Sequence, residues 1–450
     1  MKYTGEFYNE GADKTNKKPI EVKEEIMKKL SLLLAAVLLF AVCACDGTPP
    51  EPQGFDYGSL PFYTADADSL PYSYTEEERV RPFWLGNVMY NETAMFVEEG
   101  DTAVARTMFE PEKIIAVRDW TLTKQYEEGK DYTVAEDGTL VRTAESAIPV
   151  FQDSWAYGID MPSGFTEVDG NNVTGNNYRL FDCMDSAGNP VKVTYTEGPL
   201  VYENYVHITY VYDPADFGYD AVKSDTGELS ALTEKLEAGE DIDMAVFGDS
   251  ISEGCSSSKH WGRAPQCPFY GELVKDEIER IYGVTVNMTN MSLGGKTSAW
   301  GAGTDTSNNG GYNLTKLRSL KPDFLIIGFG MNDAGAVPAE EFTVNIGAIA
   351  DAARAANPDC QIVFLNTYPG NEYFVSRSRQ KAIGTAYREF SYLYAGAAYV
   401  DLYDLGLKML EHKRYYEISA NNVNHPNDFM HRVYAMNILA SFVDYAKEAI

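Results

Sequence analysis

Residues 244–254 read Met-Ala-Val-Phe-Gly-Asp-Ser-Ile-Ser-Glu-Gly, an apolar run that breaks at Gly248-Asp249-Ser250. Four apolar residues in a row fit a buried strand, and the glycine that follows marks a turn. A serine hydroxyl is therefore presented at the carboxyl end of a buried strand, where open α/β sheets place their ligands. Alone, a Gly-Asp-Ser tripeptide is only a turn. Three further pieces follow in order: Asn290-Met291-Ser292-Leu293-Gly294-Gly295, Gly330-Met331-Asn332-Asp333 and His425-Pro426-Asn427-Asp428.

Toward the carboxyl end, strands and helices alternate. The pattern predicts a helix over 270–282, with Leu273, Ile278 and Ile281 inward and Gly283 as its stop, then a strand over 284–286 and a long Gly, Ser and Asn loop. The continuous apolar run 324–329 reads as a central parallel strand. A helix over 338–356, a strand over 361–367, a helix over 376–395, a strand over 397–403 and a last helix from about 429 complete an α/β fold with a parallel sheet in three layers. Ser250, Gly295 and Asn332 each fall just past a different predicted strand, so parallel pairing brings them to one edge of the sheet.

Toward the amino end, a short amphipathic helix over 226–240 carries Leu229, Leu232 and Leu236 on one side and closes at Gly239. Before it, from about residue 80, runs such as 87–90, 93–97, 113–117 and 206–212 alternate with period two. Glu99-Gly100-Asp101 and Glu136-Asp137-Gly138 separate such runs as turns. That spacing predicts an N-terminal β-sandwich domain with no long helix. No catalytic motif lies in it. It either packs against the α/β domain to complete a cleft or binds carbohydrate, in which case Trp84, Trp120 and Trp155 stack on sugars only where exposed.

Lys28-Lys29 precedes an apolar run over 30–42 that ends in Val42-Cys43-Ala44-Cys45. The run is shorter than the roughly 20 residues a spanning helix needs, and it reads as a signal peptide. The four residues at its end resemble a bacterial lipoprotein cleavage box, with Cys45 as the lipidated first residue of the mature chain; an ordinary signal peptide cut nearby is the alternative. Residues 1–26 are polar and charged and would set the apolar run far from the amino terminus, so Met27 is the expected start. The expected organisation is an extension and signal peptide over 1–45, a flexible tether over 46–75, the β-sandwich over 76–225 and the α/β domain over 226–450. The expected location is extracytoplasmic, held to the membrane only through the lipid.

A chain of 450 residues with 44% hydrophobic and 23% charged residues has room for two or three domains. Its net charge of −30 argues against nucleic acid or an anionic membrane surface as the working partner, because both need a basic face. A neutral substrate fits better, and 31 tyrosines suit a domain that stacks rings on sugars. No metal-ligand spacing and no phosphate-binding loop is present, so neither metal nor cofactor is expected. Cys255 and Cys267, twelve residues apart beside Ser250, are either bridged or two free thiols.

Together the four segments from Gly248 to Asp428 resemble the SGNH (GDSL) hydrolase family, over about residues 240–450. The resemblance implies the flavodoxin-like strand order and an acyl transfer at Ser250, with His425 as base. It also implies an oxyanion hole from the Ser250 and Gly295 backbone N–H groups and the Asn332 side-chain amide, with Gly294 as the alternative donor. The layout resembles carbohydrate esterases that pair a β-sandwich with such a domain and use a Ser-His dyad. The expected activity is removal of short acyl groups, most often acetyl, from an acylated glycan. A lipase or thioesterase on longer chains is the second reading, and a non-catalytic glycan-binding lipoprotein the third.

The family's aspartate three residues before the histidine is Asn422 here. Three readings fill that gap: a dyad oriented by Asn422 or a backbone carbonyl, recruitment of another carboxylate such as Asp428, or a decayed enzyme. Asp249 and Asp333 are expected to brace their loops, His260 to line a pocket or sit on the surface, and Trp300 to wall the cleft.

Overall fold

The computed structural model describes residues 80–218 and 228–445. Cys45, the apolar stretch before it, the 46–75 tether and the boundary at 225 lie outside the described residues. Residues 80–218 form eleven short strands, β1 (Val88–Met95), β2 (Val97–Glu99), β3 (Thr102–Ala105), β4 (Lys113–Asp119), β5 (Gln125–Tyr126), β6 (Tyr132–Val134), β7 (Leu140–Arg142), β8 (Thr166–Glu167), β9 (Asn177–Met184), β10 (Pro190–Tyr195) and β11 (Tyr205–Val211). They pair into three small sheets, ordered β1-β11-β4-β5, β2-β3-β7-β6 and β10-β9-β8. The runs 87–90 and 93–97 do not form separate strands divided by a turn. A bulge between Met89 and Glu92 lets one strand, β1, span residues 88–95, with Asn91 at φ 48° and its N–H on the Thr209 hydroxyl, and Val97 already opens β2.

After residue 240, β12 (Ile242–Gly248), β13 (Val286–Asn290), β14 (Phe324–Gly328), β15 (Gln361–Asn366) and β16 (Ala397–Asp401) form one parallel sheet in the order β13-β12-β14-β15-β16. Counted within the sheet this is 2-1-3-4-5, the flavodoxin-like order. β14 and β15 are buried along their whole length, as continuous apolar runs in a covered parallel sheet must be. The helices of eight residues or more are α1 (Ser230–Glu237), α2 (Tyr270–Tyr282), α3 (Asn313–Leu320), α4 (Ala339–Ala356), α5 (Arg377–Ser391), α6 (Leu402–Met409) and α7 (Asp428–Ala440). α2 and α7 pack together, and α4 packs on both α3 and α5.

α2 has the predicted bounds, because Leu273, Val274 and Ile278 share its buried face and Gly283 closes it at φ 67°. α7 has no polar face, and every residue from Phe429 to Ala440 is buried. One side of α7 meets α2, and on the other the Arg432 guanidinium donates to the carbonyls of Tyr90 and Asn91 in the β1 bulge. The apolar residues of the β-rich and α/β parts therefore merge into one core, in which Phe96 and Tyr210 are contiguous with Tyr270, Phe324 and Tyr434.

Candidate active site

The loops that leave β12, β13, β14 and β15 all open at the carboxyl edge of the parallel sheet. Gly248 ends β12 where a Cβ would lie 2.3 Å from the Gly328 carbonyl oxygen and 2.3 Å from the Ser252 hydroxyl, so only glycine fits. Asp249 then caps the short helix Ser250–Glu253, its carboxylate accepting from the Ile251 N–H at 3.0 Å. That cap turns Ser250 off the strand end. Its Oγ lies 3.0 Å from Nε2 of His425, which sits in the loop just before α7.

The other imidazole nitrogen, Nδ1, lies 2.7 Å from Oε1 of Glu197, which is buried between β10 and β11 in the β-rich part. Glu197 has further donors: the Ser256 hydroxyl on Oε2 and the Asn421 amide on Oε1 at 3.2 Å. Burial pushes its pKa up, but the His425 charge and the hydrogen bonds from His425, Ser256 and Asn421 outweigh that and hold the carboxyl below its ordinary value. The segment is pinned by the Glu197 N–H on the Val173 carbonyl at 2.9 Å. Next to it, Gly198 passes so near the Gly175 carbonyl that a Cβ would be 1.9 Å from that oxygen.

Asn422 does not orient the ring. Its backbone is left-handed at φ 62°, and its buried amide donates to the Ala156 and Thr194 carbonyls at 3.0 and 3.1 Å. The neighbouring Asn421 fixes the loop instead, its Oδ1 accepting from the backbone N–H groups of Val423, Asn424 and His425 at 2.9, 2.9 and 3.0 Å. Asp428 is engaged elsewhere, accepting from the Ser258 N–H at 2.8 Å. The carboxylate that lies against the His425 ring is that of Glu197.

The Met291 and Leu293 N–H groups bond the Val246 and Gly248 carbonyls, which carries the chain after β13 past Ser250. Gly294 then lies beside Ser250, and its N–H donates to Glu253 Oε2 at 2.6 Å. The Gly294 N–H is thus already engaged. Gly295 follows at φ 71°, and the Asn332 amide reaches the same loop by donating to the Lys296 carbonyl at 2.9 Å. Ser250, Gly295 and Asn332 are brought to one edge, as their positions after different strands require.

Asp249 and Asp333 are buried, and each keeps one carboxyl oxygen with no partner among the described residues. Asp333 fastens the loop after β13 by accepting from the N–H and hydroxyl of Ser298 at 2.9 and 2.5 Å. Burial pushes the Asp249 pKa up to about 7 and that of Asp333 up to about 6.

Residues 246–433 match the model of the GDSL-like Lipase/Acylhydrolase family. The chain carries a domain of that family.

A search of the curated proteins finds no match. Among solved structures, the fold is similar to a two-domain esterase active on acetylated mannans, at 20% identity and a TM-score of 0.39, covering 51% of this chain and 55% of that one. This chain thus spans about half the length of that esterase. An acetylxylan esterase from Geobacillus stearothermophilus is similar at 17% identity and a TM-score of 0.36, over 45% of this chain and 94% of that one. A lipase/acylhydrolase from Enterococcus faecalis is similar at 19% identity and a TM-score of 0.34, over 44% and 95%.

The other residues singled out in the sequence are placed as follows. Trp300 is not a cleft wall, because it is buried against Phe247 and its indole N–H donates to the Ser307 carbonyl at 2.9 Å. Trp84 is buried and stacked on Phe217, whereas Trp120 and Trp155 are half-buried. His260 is exposed and packs edge-on against Trp261. Cys255 and Cys267 are free thiols.

Proposed function

We propose that the chain is a serine ester hydrolase. The relay from Ser250 Oγ to His425 Nε2, and from Nδ1 to Glu197, is the observation that carries this reading. With the Nδ1 proton donated to the carboxylate, Nε2 keeps its lone pair toward the serine and accepts its proton as Oγ attacks an ester carbonyl. The oxyanion that forms meets the Ser250 and Gly295 N–H groups and the second amide proton of Asn332. The imidazolium, steadied by Glu197, then protonates the departing alkoxide, and water repeats the sequence to release the acid.

The substrate class is an acylated neutral glycan, with acetyl as the acyl group. The acidic charge of the chain disfavours anionic partners, and large aromatic side chains such as Trp261 and Phe374 stand exposed, at 40% and 42%. Export and lipid attachment at Cys45 belong to the same reading and rest on the sequence of residues 28–45. The test is hydrolysis of p-nitrophenyl acetate by the full chain and by Ser250→Ala and His425→Ala. Each variant is expected to lose at least about a thousandfold in kcat. Full activity in either variant ends the proposal. Acetate release from acetylated xylan, mannan and pectin then ranks the glycans.

A further inference from the structure

The loop after β15 opens on the same sheet edge as Ser250, and it holds Phe374 with 42% of its surface exposed. The loop is not slack. The Asn371 N–H bonds the Val423 carbonyl at 2.9 Å, the Asn371 amide bonds the Asn422 carbonyl at 2.9 Å, and the Phe374 N–H bonds the Asn371 carbonyl at 2.9 Å. An exposed phenylalanine is thus fixed on the loop that braces the histidine loop. From the β-rich part, Phe181 of β9 meets the Phe374 ring at 4.7 Å between centroids. Phe181 is in turn stacked on Tyr195 at 5.6 Å and 28°. Tyr195 stands two residues before Glu197, so this row of rings begins beside the carboxylate that holds His425 and runs outward from it.

The row has a polar edge. Arg179, opposite Tyr195 in the β9–β10 ladder, lies over the Phe181 ring at 4.8 Å and donates to the Asn171 side chain at 3.0 Å. The exposed Phe374 ring, backed by the Phe181–Tyr195 stack and with the Arg179 guanidinium over the next ring, matches a pyranose, whose C–H face is apolar and whose rim carries hydroxyls. A long acyl chain needs an enclosed apolar channel instead.

We infer that Phe181, Tyr195 and Phe374 form an aromatic shelf that binds the sugar unit next to the one bearing the ester. This rests on the esterase reading and sharpens it: the β-rich part supplies specificity for a saccharide as well as the carboxylate. Phe374 is the specificity-determining residue, because it is the exposed end of the row.

The test uses the full chain carrying Ser250→Ala, titrated calorimetrically with the unsubstituted β-1,4-linked pentasaccharides of xylose, mannose and glucose. At least one is expected to bind. Adding Phe374→Ala is expected to weaken that binding about tenfold, and Phe374→Trp to restore or exceed it. Tyr392, 74% exposed just beyond the carboxyl end of α5, is the control, and Tyr392→Ala is expected to leave binding as it was. Thermal melts establish that each variant is folded. No binding by the parent, equal binding by Phe374→Ala, or equal weakening by Tyr392→Ala overturns the shelf. So does a Phe374→Ala change confined to the chain-length preference on p-nitrophenyl esters, which makes the row an acyl site. Hydrolysis of p-nitrophenyl acetate by the Ser250 protein reports on the esterase reading separately, so either can fail alone.

Discussion

Glu197→Gln is the substitution that separates a relay from a dyad. It keeps the shape of the side chain and, with the amide nitrogen turned toward the Ser256 hydroxyl, leaves an oxygen for the His425 Nδ1–H. What it removes is the negative charge facing the imidazolium that forms when Ser250 gives up its proton. Unit charges about 4 Å apart interact by about 4 kcal/mol at an effective dielectric constant of about 20. Loss of that term from the transition state lowers kcat by about a thousandfold. KM on a small ester is expected to move little, because Glu197 reaches only the imidazole and not the substrate pocket.

The assay is kcat on p-nitrophenyl acetate from pH 5 to 9, beside a thermal melt. Ser256 sets a floor, since its Oγ lies 3.1 Å from Nδ1 and can accept the same proton once released from Glu197. Glu197→Ala is therefore expected to retain some activity, and Glu197→Ala with Ser256→Ala to retain less. A folded Glu197→Gln variant with less than a tenfold loss in kcat would refute the relay.

Asn422→Asp, which restores the family's aspartate, is expected to cost about 2–4 kcal/mol in urea unfolding and to gain no activity, because it sets a carboxylate against the Ala156 and Thr194 carbonyls; a more active variant overturns this. Asp249 has a folded pKa near 7, above its unfolded value, so its contribution is complete below about pH 4 and is lost as pH rises through 7, by about 4 kcal/mol. Asp249→Asn is expected to keep the helix cap and flatten the fall in Tm from pH 4 to 8, leaving the smaller share due to Asp333. Glu253→Ala is expected to lower kcat about tenfold by freeing the Gly294 N–H, and Glu253→Gln to recover most of it through an amide oxygen in the same place. Equal losses in the two variants would assign the effect to packing.

The α/β half was legible because its signals are local. Leu273 and Ile278 with Gly283 define α2 within one stretch of sequence, and the apolar run from Phe324 defines β14, so each boundary depends on neighbours in the chain. Ser250 and His425 were legible by their motifs, although 175 residues separate them. Glu197 was not, because 228 residues lie between it and His425 and nothing around Thr196-Glu197-Gly198 distinguishes it from a strand-end turn. Its only trace was negative, the missing acid at 422. Asn422 itself misled because the sequence offset does not reveal backbone handedness. A left-handed residue there turns the amide away and leaves Asn421 to hold the loop. Trp300 failed in the same manner, since nearness to Gly295 in sequence does not say which way an indole faces.

The position of Glu197 changes what the β-rich part is for. A binding module joined to an enzyme can move without harm to the chemistry, but here a buried carboxylate from one part is neutralised by donors from the other. Separating them would break these hydrogen bonds and expose the apolar core that both parts share. The surrounding contacts act in the same sense. Glu92 and Lys413 form a wholly buried ion pair between β1 and the segment before the histidine loop. The Tyr205 hydroxyl lies 3.0 Å from both the Tyr416 and Ser419 carbonyls, and Glu417 accepts from the Met95 N–H at 3.0 Å. Residues 413–425 are thus fastened to β1, β11 and Glu197 as well as to the parallel sheet. The orientation of the His425 ring is set by both parts, so damage to the β-rich core is read out at the Ser250–His425 contact as well as in stability.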